Sequence, residues 1–458
     1  MKQMRNLSTE KLDLFRIQKI CMIVIGVVTL CGMVVGNNMN IRQQDAMAMW
    51  LNIPAAIFLG TVVGRKTSSQ GNRLLLLGLG FMLWMAVLEL ISLKDLEPAY
   101  DYAPRFGLYA TFCEYMMLLP WACITDDKGK HTGLKLFGGF LLAGTAVYIG
   151  IALANTFGIL TGLLVNLMQT YEGRLGLMWY PNVTGLLLML GIGFSVAFAC
   201  EVRSAAMKVL LLVLTAFQFL VLLMTDSRTA IGMSACILAG TAALLIADVF
   251  SRKKKLGARE IRVLAAIGVG AALIVGCWIL IRGGSRFSSR SFWSELGSLN
   301  GRTDIWKAAW LGMLDEPLTF LLGTDHPGDL ILPHYTEWMF HCHNTWLNAL
   351  MRLGVVGLVF SLVITWLAVK NAYLVVFRKQ SSLFQRVISL VVMILMVSQI
   401  LEIFLFFAEC PHNIAQMCFM LMTGYLVYWG DTLPDRAAAK GEKQPKTEES
   451  GDNTLKEQ

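Results

Sequence analysis

Apolar runs of about 20 residues recur along almost the whole chain, and they restrict the folds that it can adopt. Each run is long enough to cross the hydrocarbon core of a bilayer as an α-helix. Helices satisfy their own backbone hydrogen bonds in lipid, and the runs lack the alternation typical of a membrane β-barrel. Only 15% of the 458 residues are charged, against roughly 25% in soluble domains. The sequence therefore predicts an all-α, polytopic integral membrane protein.

Hydropathy predicts about twelve transmembrane helices in a membrane domain over residues 1–430. They are expected at residues 18–36, 46–63, 74–93, 106–124, 134–153, 183–200, 207–224, 229–249, 263–281, 346–369, 388–407 and 414–430. One long hydrophilic segment, residues 282–345, interrupts them and is predicted to contain short helices. The remaining residues, 431–458, are rich in Ala, Lys and Glu and are predicted to form a disordered tail.

The distribution of Lys and Arg predicts the orientation. Clusters at residues 65–73, 252–262 and 370–386 fall on one side of the predicted spans. The positive-inside rule places that side, and both termini, in the cytoplasm. The long loop is then extracytoplasmic. This distribution also explains the net charge of +8, so the charge does not indicate nucleic-acid binding.

A helix is predicted within the loop at residues 301–316. Ile305, Trp306, Ala309 and Trp310 fall at helical spacing, and Pro317 follows the expected end. Such a helix is typical of the membrane interface, with Trp at the level of the headgroups.

Three arginines in apolar surroundings fall on the predicted outer face: Arg174, Arg228 and Arg302. A guanidinium near the end of a span requires an anionic partner, and its planar fork suits phosphate. Extension to lipid headgroups, or pairing with Asp226 or Glu172, is the alternative for each of them. Three further loop arginines are interpreted as headgroup or glycan contacts: Arg282, Arg286 and Arg290.

Most histidines also map to the outer face, at His326, His334, His341, His343 and His412, whereas His131 lies inside. An unperturbed pKa near 6.5 suits general-base chemistry at neutral pH. Because His341 and His343 flank Cys342, a metal site, simple loop structure and catalysis by His343 all remain open there. A disulfide between Cys342 and Cys410 also remains open.

Glu89, Glu114 and Glu402 lie within or near span ends, where an ionisable side chain is usually paired or functional. They are interpreted as partners for the arginines in preference to the proton relay of a transporter, because their spacing shows no carboxylate pair.

Several short motifs occur in a fixed order between residues 174 and 357: Arg174-Leu175, Pro181-Asn182, Ser227-Arg228, Gly301-Arg302, Leu322-Gly323, His343-Asn344 and Leu353-Gly354. In this order the chain resembles the O-antigen ligase and polymerase superfamily of bacterial envelope enzymes. Two features depart from the family pattern. Gly-Thr-Asp follows Leu322 where Gly-x-Gly is expected, and His341 duplicates the candidate base.

The resemblance implies an inverting glycosyltransferase in the bacterial cytoplasmic membrane that needs neither metal nor cofactor. Its implied partners are an undecaprenyl-diphosphate-linked oligosaccharide, a glycan acceptor, membrane lipids and other polysaccharide-assembly proteins. By the same resemblance His343 is the base and Arg228 stabilises the leaving diphosphate. Arg174, Arg302, Asn344 and His341 are then substrate-binding residues, with Asn344 either orienting His343 or capping the next helix.

Three functions remain open at this point, and a non-catalytic membrane assembly partner is a further alternative that would leave the loop histidines without a role. A polymerase of surface polysaccharide is preferred to a ligase, because nothing in the sequence indicates the separate acceptor that a ligase needs. A flippase for lipid-linked oligosaccharide is the alternative from another class. Transporters often contain repeated halves, and no repeat is visible here.

Overall fold

The computed structural model describes residues 69–92, 131–156, 168–171, 174–177, 181–251, 301–324, 327–335, 341–378, 380–402 and 410–432, with residue 339 and parts of 16–31. In chain order the elements are α1 (Ser69–Ser92), α2 (Thr132–Thr156), β1 (Met168–Tyr171), β2 (Arg174–Leu177), α3 (Pro181–Glu201), α4 (Ala205–Thr225), α5 (Arg228–Ser251), α6 (Arg302–Asp315), α7 (Pro317–Leu322), α8 (Pro327–Ile331), α9 (Thr345–Phe377), α10 (Leu383–Ser398) and α11 (Cys410–Thr432).

Five described helices, α2, α3, α4, α5 and α9, are long and apolar enough to cross a membrane. The prediction of a helical chain is therefore confirmed, with five candidate membrane spans among the described residues. The total of about twelve spans stays a prediction, because spans expected at 46–63, 106–124 and 263–281 lie outside the described residues. The same is true of the tail beyond the end of α11.

Contacts between helix ends define two ends of the bundle. At one end, Lys135 of α2 pairs with Glu201 of α3 at 2.6 Å, and Arg378 after α9 donates to the Gly430 oxygen of α11 at 2.8 Å. At the other end, Arg174 joins β2 to the start of α3 and the end of α4. We call the second the arginine end and the first the opposite end.

The centre of the bundle is α3, most of whose residues are buried. Three polar side chains cross-link it to its neighbours inside the apolar core. Gln218 of α4 donates to Thr145 of α2 at 2.8 Å, and Ser195 of α3 donates to Gln218 at 3.1 Å. Gly191 permits this packing, because a Cβ there would lie 2.8 Å from the Gln218 amide nitrogen. Each of these buried polar groups is thus satisfied.

A short β-hairpin adds two strands to the otherwise helical structure of the described residues. Strands β1 and β2 pair antiparallel between α2 and α3, with Tyr171 opposite Arg174. Strands of four residues carry too little alternation to be recognised in an apolar sequence. The hairpin is small, but it places Arg174 against the helix bundle.

Two helices end eight or nine residues away from the predicted ends of their spans, at Phe377 against 369 and at Ser398 against 407. Helix α9 is 33 residues long and breaks at Gly354, where φ is 65° and ψ is −175°. Helix α10 ends at Ser398, nine residues before the predicted end of its span. Backbone hydrogen bonds from Gln399, Ile400 and Leu401 close a turn after it. Glu402 therefore follows the helix and lies outside it.

The predicted loop helix at 301–316 is confirmed by α6. Its buried face, with Ile305, Ala309 and Met313, packs against Cys342, which precedes α9, and against Met351 in the first part of α9. This packing fixes α6 against the membrane domain, so its first residue, Arg302, has a defined position at the arginine end.

Candidate functional site

The starts of α5, α6 and α9 meet around one buried carboxylate. Arg302 Nη2 lies 3.0 Å from Glu402 Oε1, and the two side chains are 13% and 3% exposed. Thr229 Oγ1 donates to the same oxygen at 2.9 Å. The interpretation of Glu402 as a partner for an arginine is confirmed. The side chains of Glu89 and Glu114 lie outside the described residues.

The backbone of Glu402 holds the start of α9. Its carbonyl oxygen accepts from the Thr345 nitrogen at 3.0 Å and from Thr345 Oγ1 at 2.9 Å. Burial raises the pKa of the Glu402 carboxyl, and the Arg302 charge and the Thr229 hydrogen bond oppose that shift. One residue thus fixes three helix starts relative to one another.

Arg174 forms mostly neutral hydrogen bonds. Its Nε donates to the Thr225 carbonyl oxygen at 3.1 Å, and its Nη2 donates to Asn182 Oδ1 at 2.7 Å. Nη2 also contacts the Asp226 backbone oxygen at 3.4 Å. These contacts join the hairpin to α3 and to the α4–α5 turn. They leave the charge of Arg174 able to attract an anion at the arginine end.

Arg228 is the first residue of α5 and is exposed. The turn before it is tight: Asp226 has φ 52°, and Ser227 is 2% exposed. Gly185 of α3 allows Ser227 to approach, because a Cβ on Gly185 would lie 2.7 Å from the Ser227 Cβ. The turn therefore buries Ser227 and leaves Arg228 at the surface of the arginine end.

His341 and His343 form a pair of perpendicular rings, with centroids 4.3 Å apart. The residue after them, Asn344, caps α9: its Oδ1 accepts from the Trp346 and Leu347 nitrogens at 3.0 Å each. His343 has φ 50°, in the left-handed region. This strained conformation and the cap fix where the chain enters α9.

Arg352 is a residue of this region that the sequence analysis missed. Burial, followed by the charges of Arg352 and Arg302, lowers the pKa of His341 to about 4. Arg352 lies in the first part of α9, inside a predicted span. An arginine within an apolar span is costly and usually functional, and that rule is the signal that identifies it.

A pH dependence of stability follows from His341. Its pKa is about 4 in the folded protein and 6.5 when unperturbed, so the unfolded state binds more protons between these values. We expect the melting temperature to fall as the pH falls through 6.5 and to level off near 4. His341→Gln removes this contribution and should flatten the curve. Thermal unfolding in lipid nanodiscs across this range tests the prediction, and an equally steep curve for His341→Gln contradicts it.

Cys342 is a buried free thiol, so it does not form the disulfide with Cys410 that was left open. Its Sγ donates to the Asn344 oxygen at 3.4 Å, and Trp306 Nε1 donates to the Cys342 oxygen at 2.7 Å. Burial raises the pKa of the thiol to about 12, so it stays protonated. Its role is packing between α6 and α9.

The other predicted residues do not join this cluster in the described part of the chain. His334 is exposed on the loop and contacts Asp315 at 2.7 Å. His131 lies at the opposite end, where Trp429 donates to it at 3.2 Å. The remaining ones lie outside the described residues: Arg282, Arg286, Arg290, His326 and the side chain of His412.

Residues 210–362 match the family model described as O-Antigen ligase. Comparison with curated proteins gives no significant match. The matched region runs from α4 into α9 and contains Arg228, Arg302, His341, His343, Asn344 and Arg352. Arg174 and Glu402 lie outside it. The family match therefore covers the histidine pair and the starts of α5, α6 and α9. Arg174 and Glu402, which contribute to the same end of the bundle, come from the flanking parts of the chain.

Proposed function

We propose that this chain, whose residues 210–362 match the O-Antigen ligase family model, belongs to the O-antigen ligase/polymerase superfamily and polymerises polysaccharide repeat units at the outer face of the cytoplasmic membrane. The donor is a glycan on undecaprenyl diphosphate, and the acceptor is a glycan hydroxyl. The observation that carries the proposal is the gathering of arginines and a histidine pair at one end of a membrane bundle.

The arginines suit the departure of a lipid diphosphate. When the glycosidic bond to the diphosphate breaks, negative charge develops on the bridging oxygen. Fixed guanidinium groups stabilise such charge without further reorganisation. Arg228 is exposed at the start of α5, and Arg302 is held by Glu402. We assign both to the diphosphate, with Arg174 as a further positive charge at the same end of the bundle.

His343 is assigned as the general base. It accepts the proton of the acceptor hydroxyl while that oxygen attacks the anomeric carbon, which inverts the configuration as the diphosphate leaves. His341 is less suitable, because its pKa of about 4 makes it a weak base at neutral pH. His341 is neutral under these conditions and is assigned to substrate contact. Asn344 caps α9 and thereby positions its neighbour His343.

A ligase would use the same donor and differ in its acceptor, so it is the second candidate. Because the arginines and the histidine pair lie at one end of the bundle, the flippase hypothesis is disfavoured. Transporters commonly bind their substrate near the middle of the bilayer. The core network of Gln218, Thr145 and Ser195 is polar but uncharged, and its groups satisfy one another. It therefore offers little to an anionic lipid.

Arg228→Ala tests the proposal. The assay uses proteoliposomes supplied with lipid-diphosphate-linked repeat units isolated from the source bacterium. We expect transfer to fall about 100-fold, because the variant lacks the guanidinium that stabilises the negative charge developing on the diphosphate. Arg228→Lys should retain an intermediate rate, since it keeps the charge without the planar fork. Arg203→Ala removes an exposed arginine at the opposite end and is the matched control. Wild-type transfer by Arg228→Ala contradicts the proposed role.

The product of the same reaction separates the candidate functions. Long glycan chains formed from the donor alone support a polymerase. A single transfer that requires a second, non-diphosphate acceptor supports a ligase. Movement of the donor across the bilayer without any new glycosidic bond overturns the proposal and supports a flippase.

A further inference from the structure

Glu402 accepts hydrogen bonds from the starts of three helices at the arginine end, and it lies outside the matched family region. Its side chain accepts from Arg302 of α6 and from Thr229, which follows Arg228 in α5. Its backbone oxygen accepts from Thr345, two residues after His343. Glu402 therefore connects Arg302 and Arg228, which are assigned to the diphosphate, with His343, which is assigned as the general base.

Stability alone is a weak reason for this arrangement. Removing two charges from water costs about as much as their attraction returns, and buried ion pairs are often replaced by apolar residues without loss. An arginine fork, however, has five N–H donors, and the contact with Glu402 uses Nη2 alone among the described hydrogen bonds of Arg302. The ion pair thus holds one nitrogen of the guanidinium in place and leaves donors for a second anion.

We propose that Glu402 is a positioning residue for donor turnover: it orients Arg302 toward the leaving diphosphate and keeps the start of α9 aligned with it. This inference rests on the proposed function. Glu402 transfers no proton and does not contact the donor. Its carboxylate also offsets one positive charge of the cluster, so it weakens the attraction for the diphosphate while it improves the geometry.

These two effects have opposite signs and give a distinctive test. Glu402→Gln keeps an oxygen that accepts from Thr229 and Arg302, but it removes the charge. We expect the folded variant to bind undecaprenyl diphosphate in nanodiscs at least as tightly as wild type, because the cluster gains one net positive charge. We expect kcat with the isolated lipid-linked repeat units to fall about 10-fold or more, because Arg302 is less firmly held.

Two further variants complete the test, one at the opposite end of the bundle and one beside Glu402. Glu201→Gln removes a carboxylate that pairs with Lys135 at the opposite end. It should change neither the binding of undecaprenyl diphosphate nor kcat. Thr229→Val removes the second hydrogen bond to the same oxygen while keeping the ion pair. We expect it to lower kcat several-fold with unchanged binding, and it serves if the Gln variant does not insert.

The outcomes divide clearly. A kcat within twofold of wild type for both Glu402→Gln and Thr229→Val overturns the inference. A parallel loss of binding and kcat also overturns it, since that result indicates a merely structural role. If Arg228→Ala and His343→Ala retain full activity, the proposed function itself fails. If those two variants lose activity while Glu402→Gln does not, only the positioning role fails.

Discussion

His343→Ala is expected to lower the rate of glycan transfer about 1000-fold, while undecaprenyl diphosphate still binds. The imidazole is assigned to the acceptor's proton, and the arginines are assigned to the donor's diphosphate. Its removal therefore affects the chemical step and leaves donor binding intact. The measurement is single-turnover transfer in proteoliposomes, with donor binding followed separately in nanodiscs.

His334→Ala is the matched control, because His334 is an exposed loop histidine whose partner is Asp315. It should transfer at the wild-type rate. His341→Gln should cause a smaller loss than His343→Ala, since an imidazole with a pKa of about 4 binds a proton weakly and contributes little as a base. A larger loss for His341→Gln than for His343→Ala would assign the general base to His341 and substrate contact to His343.

The transmembrane helices nearest the site were predictable from hydropathy. Spans expected at 183–200, 207–224 and 229–249 correspond to α3, α4 and α5 within two residues at each end. Long apolar runs bounded by charged or turn residues have sharp limits, because a polar residue inside the hydrocarbon core is costly. The loop helix α6 was predictable for a similar reason, from its helical spacing of apolar residues.

The parts that escaped prediction depend on contacts between distant segments. The β-hairpin forms from two strands that are too short to have a pattern of their own. The early end of α10 reflects a turn that Thr345, from a different helix, holds closed. Arg352 could have been identified from its position inside an apolar span, but its effect on His341 could not. Its electrostatic effect on His341 arises only when the loop packs against α9.

Two glycines fix the position of Arg352. At Gly323, after α7, and at Gly354, in α9, the backbones of the two segments cross in direct contact. A Cβ on Gly354 would lie 2.1 Å from the Leu321 oxygen, and a Cβ on Gly323 would lie 2.2 Å from the Arg352 oxygen. The break in α9 exposes a carbonyl at Leu353, which accepts from Trp84 Nε1 at 2.9 Å. The crossing thus joins the loop, α9 and α1.

Gly354→Ala is therefore expected to abolish most folded protein. The backbone has φ 65° and ψ −175°, a region open essentially only to glycine, and the added methyl would overlap a backbone oxygen that no rotamer change can move. We expect a loss of about 3 kcal/mol or more, seen as aggregation on size-exclusion chromatography or a large fall in melting temperature.

Gly232→Ala is the matched control, because nothing lies within 4 Å of a Cβ at that helical position. It should be neutral or slightly stabilising, since alanine is the better helix former. Wild-type melting of Gly354→Ala would show that the loop and α9 can separate without cost. Arg352 and the histidine pair would then lack a fixed framework, and the assignment of His343 as a positioned base would lose its structural support.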